Sequence, residues 1–392
     1  MEKRSKILGL VVIVAALLYL GVALYYGLFP FKKTDAVPVE PFISFKHDEE
    51  NLFELKYYPC SDVQVLDLSI SRDGADIFFG SDIKSVVLTD NGGNLKWEKD
   101  FESDPLQTKI SACGQYLAIG TSSGGLFLIK ENQEVIRESN FEGPVTHLAL
   151  SSSGEWLVSG SGGKNGSERL AYYNHRTGQE WDVETGTILC LAASSDDQEI
   201  YYTEKEEDSC STVVLDLQGK ELWRIEGSEL KALSPAGNFL AMQDEVGNIV
   251  VYNNLMEEIW RTAWRMDPAE VFINPAGDRM LVFDKQGNRK NNLYFFDARG
   301  KLIWENLVDV DARVAFSPDG RGTIYCAGVL ENKVNKTRES FSRMVLVNEK
   351  GEPDREIDLP IKVERVVASP CNNVFVIGND GSVYQVNLLG RK

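Results

Sequence analysis

The sequence contains few of the residues from which metal and nucleic-acid sites are built. It has only three His and six Cys in 392 residues, and no two Cys are closely spaced, which argues against zinc. Lys and Arg number 41 against 59 Asp and Glu, a net charge of −18. Because phosphate binding depends on Lys and Arg, this deficit argues against a nucleic-acid partner. No His lies with Ser or Cys in a nucleophile pattern, so the sequence indicates no catalytic residue, cofactor or metal.

One long uncharged run stands apart from the rest of the chain. Residues 7–29 read ILGLVVIVAALLYLGVALYYGLF, and a helix needs about 20 such residues to cross a bilayer. A cleaved signal peptide, the alternative, would have a shorter apolar region that ends in a small-residue cleavage site. More basic residues precede the run than follow it, so the positive-inside rule predicts a cytoplasmic segment 1–6. Residues 30–41 are then a linker to an extracytoplasmic domain, residues 42–392.

The remainder of the chain repeats a phrase of about 40 residues. Each copy has an alternating apolar run, a Ser/Asn-x-x-Gly turn and a second apolar run, as in LSISRDGADIFFG (68–80). The turn residues Gly74, Gly114 and Gly154 are 40 positions apart, and two of the eight copies are degenerate. This period is typical of propeller blades. The repeat predicts an all-β, eight-bladed β-propeller of four-stranded antiparallel blades.

The second half of each copy brings an Asp or Asn turn and a strand with one large residue. Five of the seven Trp occupy this position, and we expect them to pack between neighbouring blades: Trp97, Trp181, Trp223, Trp260 and Trp304. Arg137 and Arg355 take the same position in units 2 and 7. The last unit lacks its fourth strand, which would leave an unpaired edge. Residues 52–58, with Tyr57 at the Trp position, are therefore predicted to close the last blade.

Two kinds of phrase resemble known propeller families. DLQGKELW (216–223) and DARGKLIW (297–304) resemble the D-x-x-G-K-x-x-W repeat of pyrroloquinoline-quinone-type propellers. FSPDGR (316–321) resembles the turn of WD-repeat propellers, and the likeness covers about 65–390. It is similar to membrane-anchored bacterial or archaeal members of this superfamily and implies their fold. Quinoprotein dehydrogenase activity does not carry over, because the adjacent Cys pair of those enzymes is missing.

Residues that could bind a partner concentrate in the loops between second and third strands and between blades. Basic residues there could form a patch on the acidic body, although solvated loop charge is the alternative interpretation. Trp264 lies in an inter-blade linker, where it could bind a partner or cover the blade junction. The candidate binding residues are Lys164, Arg169, Trp264, Arg265, Arg289, Lys290, Lys333, Lys336, Arg338, Phe341 and Arg343.

Together these patterns predict a single-pass membrane protein whose propeller is a non-enzymatic interaction or assembly platform. Its expected partner is another membrane or envelope protein. The alternative is a propeller enzyme or sensor that binds a carbohydrate or other small ligand in the central funnel. Convergent carboxylates or His in that funnel would favour chemistry, whereas a mixed lining would favour docking. The six Cys fall on different faces and blades, so we expect free thiols.

Overall fold

The computed structural model describes most of the chain from residue 53 onward. The described ranges are 53–58, 64–91, 94–162, 168–194, 196–206, 209–234, 238–262, 270–274, 276–284, 290–309, 311–327, 342–359, 361–369, 373–378 and 383–388. Pro41–Lys392 forms one compact unit. No helix within the described ranges is long and apolar enough to cross a membrane. The predicted span 7–29 and linker 30–41 lie outside those ranges.

Every regular element in the described residues is a β-strand, and the strands form eight four-stranded sheets. The prediction of an all-β, eight-bladed propeller is confirmed. The first strand and blades 1 to 4 comprise β1 Phe53–Tyr58, β2 Val65–Ile70, β3 Asp76–Ser81, β4 Ser85–Asp90, β5 Leu95–Asp100, β6 Pro105–Ile110, β7 Tyr116–Thr121, β8 Gly125–Lys130, β9 Val135–Asn140, β10 Val145–Leu150, β11 Trp156–Gly162, β12 Glu168–Asn174, β13 Glu180–Thr185, β14 Thr187–Ala193, β15 Glu199–Glu206, β16 Ser209–Asp216 and β17 Glu221–Glu226.

Blades 5 to 8 continue in the same way along the chain. Their strands are β18 Ser228–Leu233, β19 Phe239–Asp244, β20 Ile249–Asn253, β21 Glu258–Arg261, β22 Glu270–Ile273, β23 Arg279–Asp284, β24 Lys290–Asp297, β25 Leu302–Asp309, β26 Arg313–Phe316, β27 Thr323–Ala327, β28 Ser342–Val347, β29 Pro353–Leu359, β30 Val363–Ser369, β31 Asn373–Gly378 and β32 Val383–Leu388. Blades 1 to 7 each use four consecutive strands, and blade 8 has the order β1-β32-β31-β30.

The eighth blade joins the two ends of the propeller sequence. β1 runs antiparallel to β32 over the whole of its length. Tyr57 lies opposite Tyr384, whereas the residue that corresponds in register to the repeat Trp is Lys56, opposite Gln385. The reason is the length of the segment that leads to the next blade. Trp97 lies 14 positions before Ser111 (111 − 97), whereas Lys56 lies 15 positions before Ser71 (71 − 56). A count of 14 taken from blade 1 therefore misses by one residue.

Apolar side chains hold adjacent blades together. Because side chains on a strand alternate between its two faces, each inner strand packs against both neighbouring blades. The buried apolar residues of the described chain form eight clusters, and each cluster spans two adjacent blades. Trp97 of blade 1 packs with Ile119 of blade 2, and Phe375 of blade 8 packs with Leu68 and Phe79 of blade 1. The last of these contacts closes the ring.

A buried carboxylate reinforces that closure at the inner strands. Asp67 of blade 1 accepts a hydrogen bond from Arg365 of blade 8 at 2.7 Å and from the Thr108 amide of blade 2 at 2.8 Å. Lys109 Nζ lies 3.5 Å from the same carboxylate. Burial alone would raise the pKa of Asp67, but Lys109, the Thr108 amide and Arg365 outweigh it, and the pKa is lowered. Asp67 is thus ionised and links three blades.

Candidate functional site

Most of the predicted binding residues lie outside the described residues. These are Lys164, Trp264, Arg265, Arg289, Lys333, Lys336, Arg338 and Phe341, and Lys290 is described only as the first residue of β24. Arg169 on β12 and Arg343 on β28 are described. Arg169 donates to Asp182 at 2.8 Å, and Arg343 donates to Asp358 at 2.7 Å. At both positions a carboxylate of the neighbouring fourth strand therefore balances the charge, and a basic patch stays a prediction.

Three of the repeat Trp pack on a turn glycine of the following blade. A Cβ atom on Gly219 would lie 3.0 Å from the Trp181 ring, and one on Gly351 would lie 2.7 Å from Trp304. The same relation joins Trp260 to Gly300 at 2.6 Å. These glycines have positive φ angles and no side chain, so the flat ring can lie directly on the turn.

Trp223 is the exception, because half of its surface is exposed to solvent. The corresponding turn of blade 5 has Met256 in place of glycine, with φ 59°. The Met256 side chain is half-buried and packs into the cluster between blades 4 and 5. We expect this side chain to occupy the space that the indole ring would need. Trp223 stays outside, on a surface that we call the apolar rim, defined by the exposed residues Leu222, Trp223, Leu255 and Ile259.

Replacing Met256 with Gly should let Trp223 turn inward. We expect the tryptophan fluorescence of Met256→Gly to shift to the blue and to be quenched less by acrylamide than that of the parent. Neither change should appear in the double variant Met256→Gly/Trp223→Phe. Leu255→Gly, in the same turn, is the control. Gln133 in blade 2 holds the equivalent position with φ 70°, but its side chain is exposed and Trp97 stays buried. If the fluorescence of Trp223 is the same in Met256→Gly as in the parent, Met256 is not what displaces the ring.

A cleft of about 420 Å³ lies between blades 2 and 3, where Arg137 takes the place of a Trp. The Arg137 guanidinium lies 4.6 Å from the centre of the Tyr173 ring and donates to Glu180 at 2.9 Å. Arg169, with Asp182, lines the same cleft. A Cβ atom on the turn residue Gly178 would meet nothing within 4 Å, unlike its counterparts beside Trp rings. The space that a Trp fills elsewhere is open here.

A second groove, of about 660 Å³, lies between blades 1 and 2. Phe101 and Phe127 are in edge-to-face contact at its wall, with ring centroids 4.8 Å apart. Lys99 Nζ lies 5.9 Å from the Phe101 centroid. Strand β9, the outer strand of blade 2, separates this groove from the cleft. Arg137 and Ser139 of β9 line the cleft, and Glu138 and Asn140 line the groove.

The first strands of the blades line the central channel, because each lies at the inner edge of its sheet and contacts the first strand of a neighbouring blade. Their exposed surface is mixed. Leu189 is 39 % exposed, and Lys231 pairs with Glu229 at 2.8 Å. His147 on β10 is partly buried, and burial lowers its pKa. In the described part of the chain no three His, Cys, Asp or Glu are grouped so that they could hold a metal.

Solved propellers share this fold at low sequence identity. The C-terminal WD40 domain of Sif2 has a TM-score of 0.65 and 11 % identity, covering 86 % of this chain and 99 % of that one. The chain shares its fold with WD40 propellers. Saccharomyces cerevisiae Sqt1 has a TM-score of 0.60 and 11 % identity, covering 84 % of this chain and 97 % of its own. A chain in the mitotic checkpoint complex has a TM-score of 0.53 and 12 % identity, with coverage of 89 % and 96 %.

No protein-family model and no curated protein matches the sequence. At identities this low the structural likeness shows the fold alone, since propellers carry unrelated activities. The resemblance to pyrroloquinoline-quinone-type propellers and the membrane anchor remain predictions. Function has to be argued from the surfaces described above.

Proposed function

We propose that this chain is a non-enzymatic protein-interaction platform, tethered to a cell membrane by a single span at residues 7–29 with the propeller on the extracytoplasmic side. The observation that carries the proposal is the apolar rim. Trp223 is 50 % exposed and lies on the outer strand β17 next to the exposed Leu222, and Leu255 and Ile259 are exposed in the corresponding turn and outer strand of blade 5. Trp is enriched among residues that dominate binding energy, and grouped exposed apolar residues are typical of protein-binding surfaces.

The charges around the apolar rim define the kind of partner. Arg224 and Arg261 are already paired with carboxylates, Arg224 with Glu204 and Glu221 and Arg261 with Glu258. Glu226, Glu245 and Glu257 have no cationic partner among the described residues. We therefore expect the partner to present basic residues around an apolar contact.

Two further observations support a platform. The mixed lining of the central channel favours docking over chemistry there. A propeller of this fold was solved within the mitotic checkpoint complex, which is a protein assembly.

The strongly acidic body would be repelled by anionic lipid headgroups, so a span at residues 7–29 would be needed to keep it at the membrane.

Photocrosslinking from the apolar rim tests the platform. A photoreactive amino acid at position 222 of the full-length chain, expressed in cells, should capture one partner protein. Trp223→Ala should reduce that capture at least tenfold, while Leu95→Ala, which removes an exposed apolar side chain of blade 1, should leave it unchanged. Capture that is equal in both variants, or the absence of any captured protein, would overturn the proposal.

Thiol labelling tests the orientation. Cys113 is exposed, and burial raises the pKa of Cys190 to about 11, which keeps that thiol unreactive. In a variant with Ser at positions 60, 210 and 371, a membrane-impermeant maleimide should label Cys113 in intact cells, and a further Cys113→Ser change should abolish the label. Labelling that requires lysis would place the propeller in the cytoplasm.

A further inference from the structure

We propose that the outer edge of blade 2 binds an extended segment of a partner protein, which adds to the blade as a fifth strand along β9. The inference rests on the proposed protein-binding function and concerns a surface separate from the apolar rim. It states that the partner binds by strand addition and predicts the pattern of side chains in the segment that binds.

β9 offers the backbone groups that strand addition needs. It is the last strand of the sheet β6-β7-β8-β9, so its outward N–H and C=O groups face no strand of the blade. Every blade has such an edge, and an edge alone does not select a partner. β9 has an open cleft on one side and an open groove on the other.

The spacing of the two cavities matches the period of a strand. Side chains of β9 alternate, with Arg137 and Ser139 in the cleft and Glu138 and Asn140 in the groove. A strand paired with β9 would send its own side chains alternately to the same two sides. Main-chain hydrogen bonds would supply affinity, and the two cavities would bind alternate side chains of the partner and so supply specificity.

The cleft exists because blade 2 departs from the repeat. In three other blades the Trp lies on the turn glycine of the next blade, as Trp181 lies on Gly219. The Arg137 guanidinium instead lies over the Tyr173 ring and donates to Glu180, and a Cβ atom on the turn residue Gly178 would meet nothing within 4 Å. This substitution costs a large apolar contact and opens a cavity at a sheet edge, which is what a binding site requires.

Two guanidinium donors in the cleft can bind an acidic side chain, although Glu180 and Asp182 balance the charges of the two Arg residues. Arg137 uses Nε and Nη2, and Arg169 likewise uses Nε and Nη2, in their bonds to Ser139, Glu180 and Asp182. Both Nη1 groups keep their N–H donors without an acceptor among the described residues. The carboxylates hold the two guanidiniums in place, and the buried side chains Leu126 and Leu157 form apolar walls. A Glu side chain has the matching apolar stem and carboxylate end.

The groove on the other side of β9 has a mixed lining that offers one aromatic wall to an apolar side chain. Phe101 and Phe127 form that wall, and charged side chains such as Lys99 and Glu102 line the rest. Since neighbouring residues of a strand point to opposite sides, the partner segment should alternate acidic and apolar residues. The chemistry at β9 therefore differs from that at the apolar rim, which calls for basic residues.

Peptide binding to the purified full-length protein in detergent tests strand addition. The probe is a fluorescein-labelled decapeptide of alternating Glu and Val, compared with a Lys and Val decapeptide and with a Glu and Val decapeptide N-methylated at alternate residues. We expect the first to bind and the other two to bind at least tenfold more weakly by anisotropy. Hydrogen exchange should slow at Val135–Asn140 when the first peptide is bound.

The matched variants place a Trp, the usual residue of the repeat, at positions 137 and 355. Arg137→Trp should fill the cleft and weaken binding at least tenfold, whereas Arg355→Trp, the same change in blade 7, should leave binding unchanged. No binding, binding retained in Arg137→Trp, or protection away from β9 would each overturn the proposal. If the peptide fails to bind while Trp223-dependent crosslinking persists, strand addition alone is wrong. If crosslinking fails while the peptide binds at β9, the apolar rim is wrong and strand addition stands.

Discussion

Deleting residues 42–60 should lower the free energy of unfolding by about 4–6 kcal/mol. The deletion removes β1 and leaves β32 as an open edge, because the two strands pair residue by residue from Phe53 opposite Leu388 to Tyr58 opposite Val383. Each lost backbone hydrogen bond contributes about 1 kcal/mol to stability, and the pairing involves about six of them. Urea unfolding of the full-length protein, followed by far-UV circular dichroism, measures the change.

The matched control is deletion of residues 34–41, which lie outside the described residues and belong to the predicted linker. This deletion variant should have the same midpoint of urea unfolding as the parent protein. Equal midpoints for the two deletions would show that β1 contributes nothing to closure of the ring.

Replacing Asp67 with Ala should cost about 2–4 kcal/mol. The change leaves the buried Thr108 amide without its acceptor and Arg365 without its partner. Loss of one member of a buried ion pair costs about 3–5 kcal/mol, and the lower range applies because the Arg365 side chain is partly exposed. Asp100→Ala, at the exposed end of β5, is the control and should change stability by less than about 0.5 kcal/mol.

The same carboxylate gives stability a dependence on pH. The pKa of Asp67 in the folded state lies below its ordinary value of 3.8, so the unfolded chain binds this proton first as the pH falls. The contribution of Asp67 is complete above that ordinary value and is lost as the pH drops through the folded pKa. The stability difference between the parent and Asp67→Asn should therefore shrink below about pH 4. A difference independent of pH from 7 to 3 would contradict an ionised Asp67.

The fold could be predicted from the sequence because a blade is a local unit. Its turns and its alternation of apolar residues recur about every 40 residues. The apolar faces of each copy can be buried only against the neighbouring copies. The contacts of the repeat Trp were less accessible to sequence reasoning. Trp223 follows the repeat, yet half of its surface is exposed. We expect the cause to be Met256, which replaces the turn glycine in the next blade.

The two cavities beside β9 could not be predicted for a related reason. The sequence shows Arg137 at a Trp position, but an open cleft follows only from the way in which Tyr173 and Glu180 of the next blade hold that guanidinium. The count to Tyr57 missed the register position by one residue, because the segment between the closing strand and blade 1 is one residue longer than the corresponding segment between blades 1 and 2. The loop residues proposed as a basic patch belong mostly to ranges that the structure does not describe.

The pairing of β1 with β32 also sets the timing of folding during synthesis. These are the first and the last described strands of the domain to leave the ribosome, so the eighth blade cannot be completed until β32 has emerged. Until then the nascent chain carries seven blades and an unpaired edge at each end, a form that is open to aggregation or to strand exchange with another chain. Blade 8 is thus the last part of the domain to become complete, and β1 stays an open edge until β32 pairs with it.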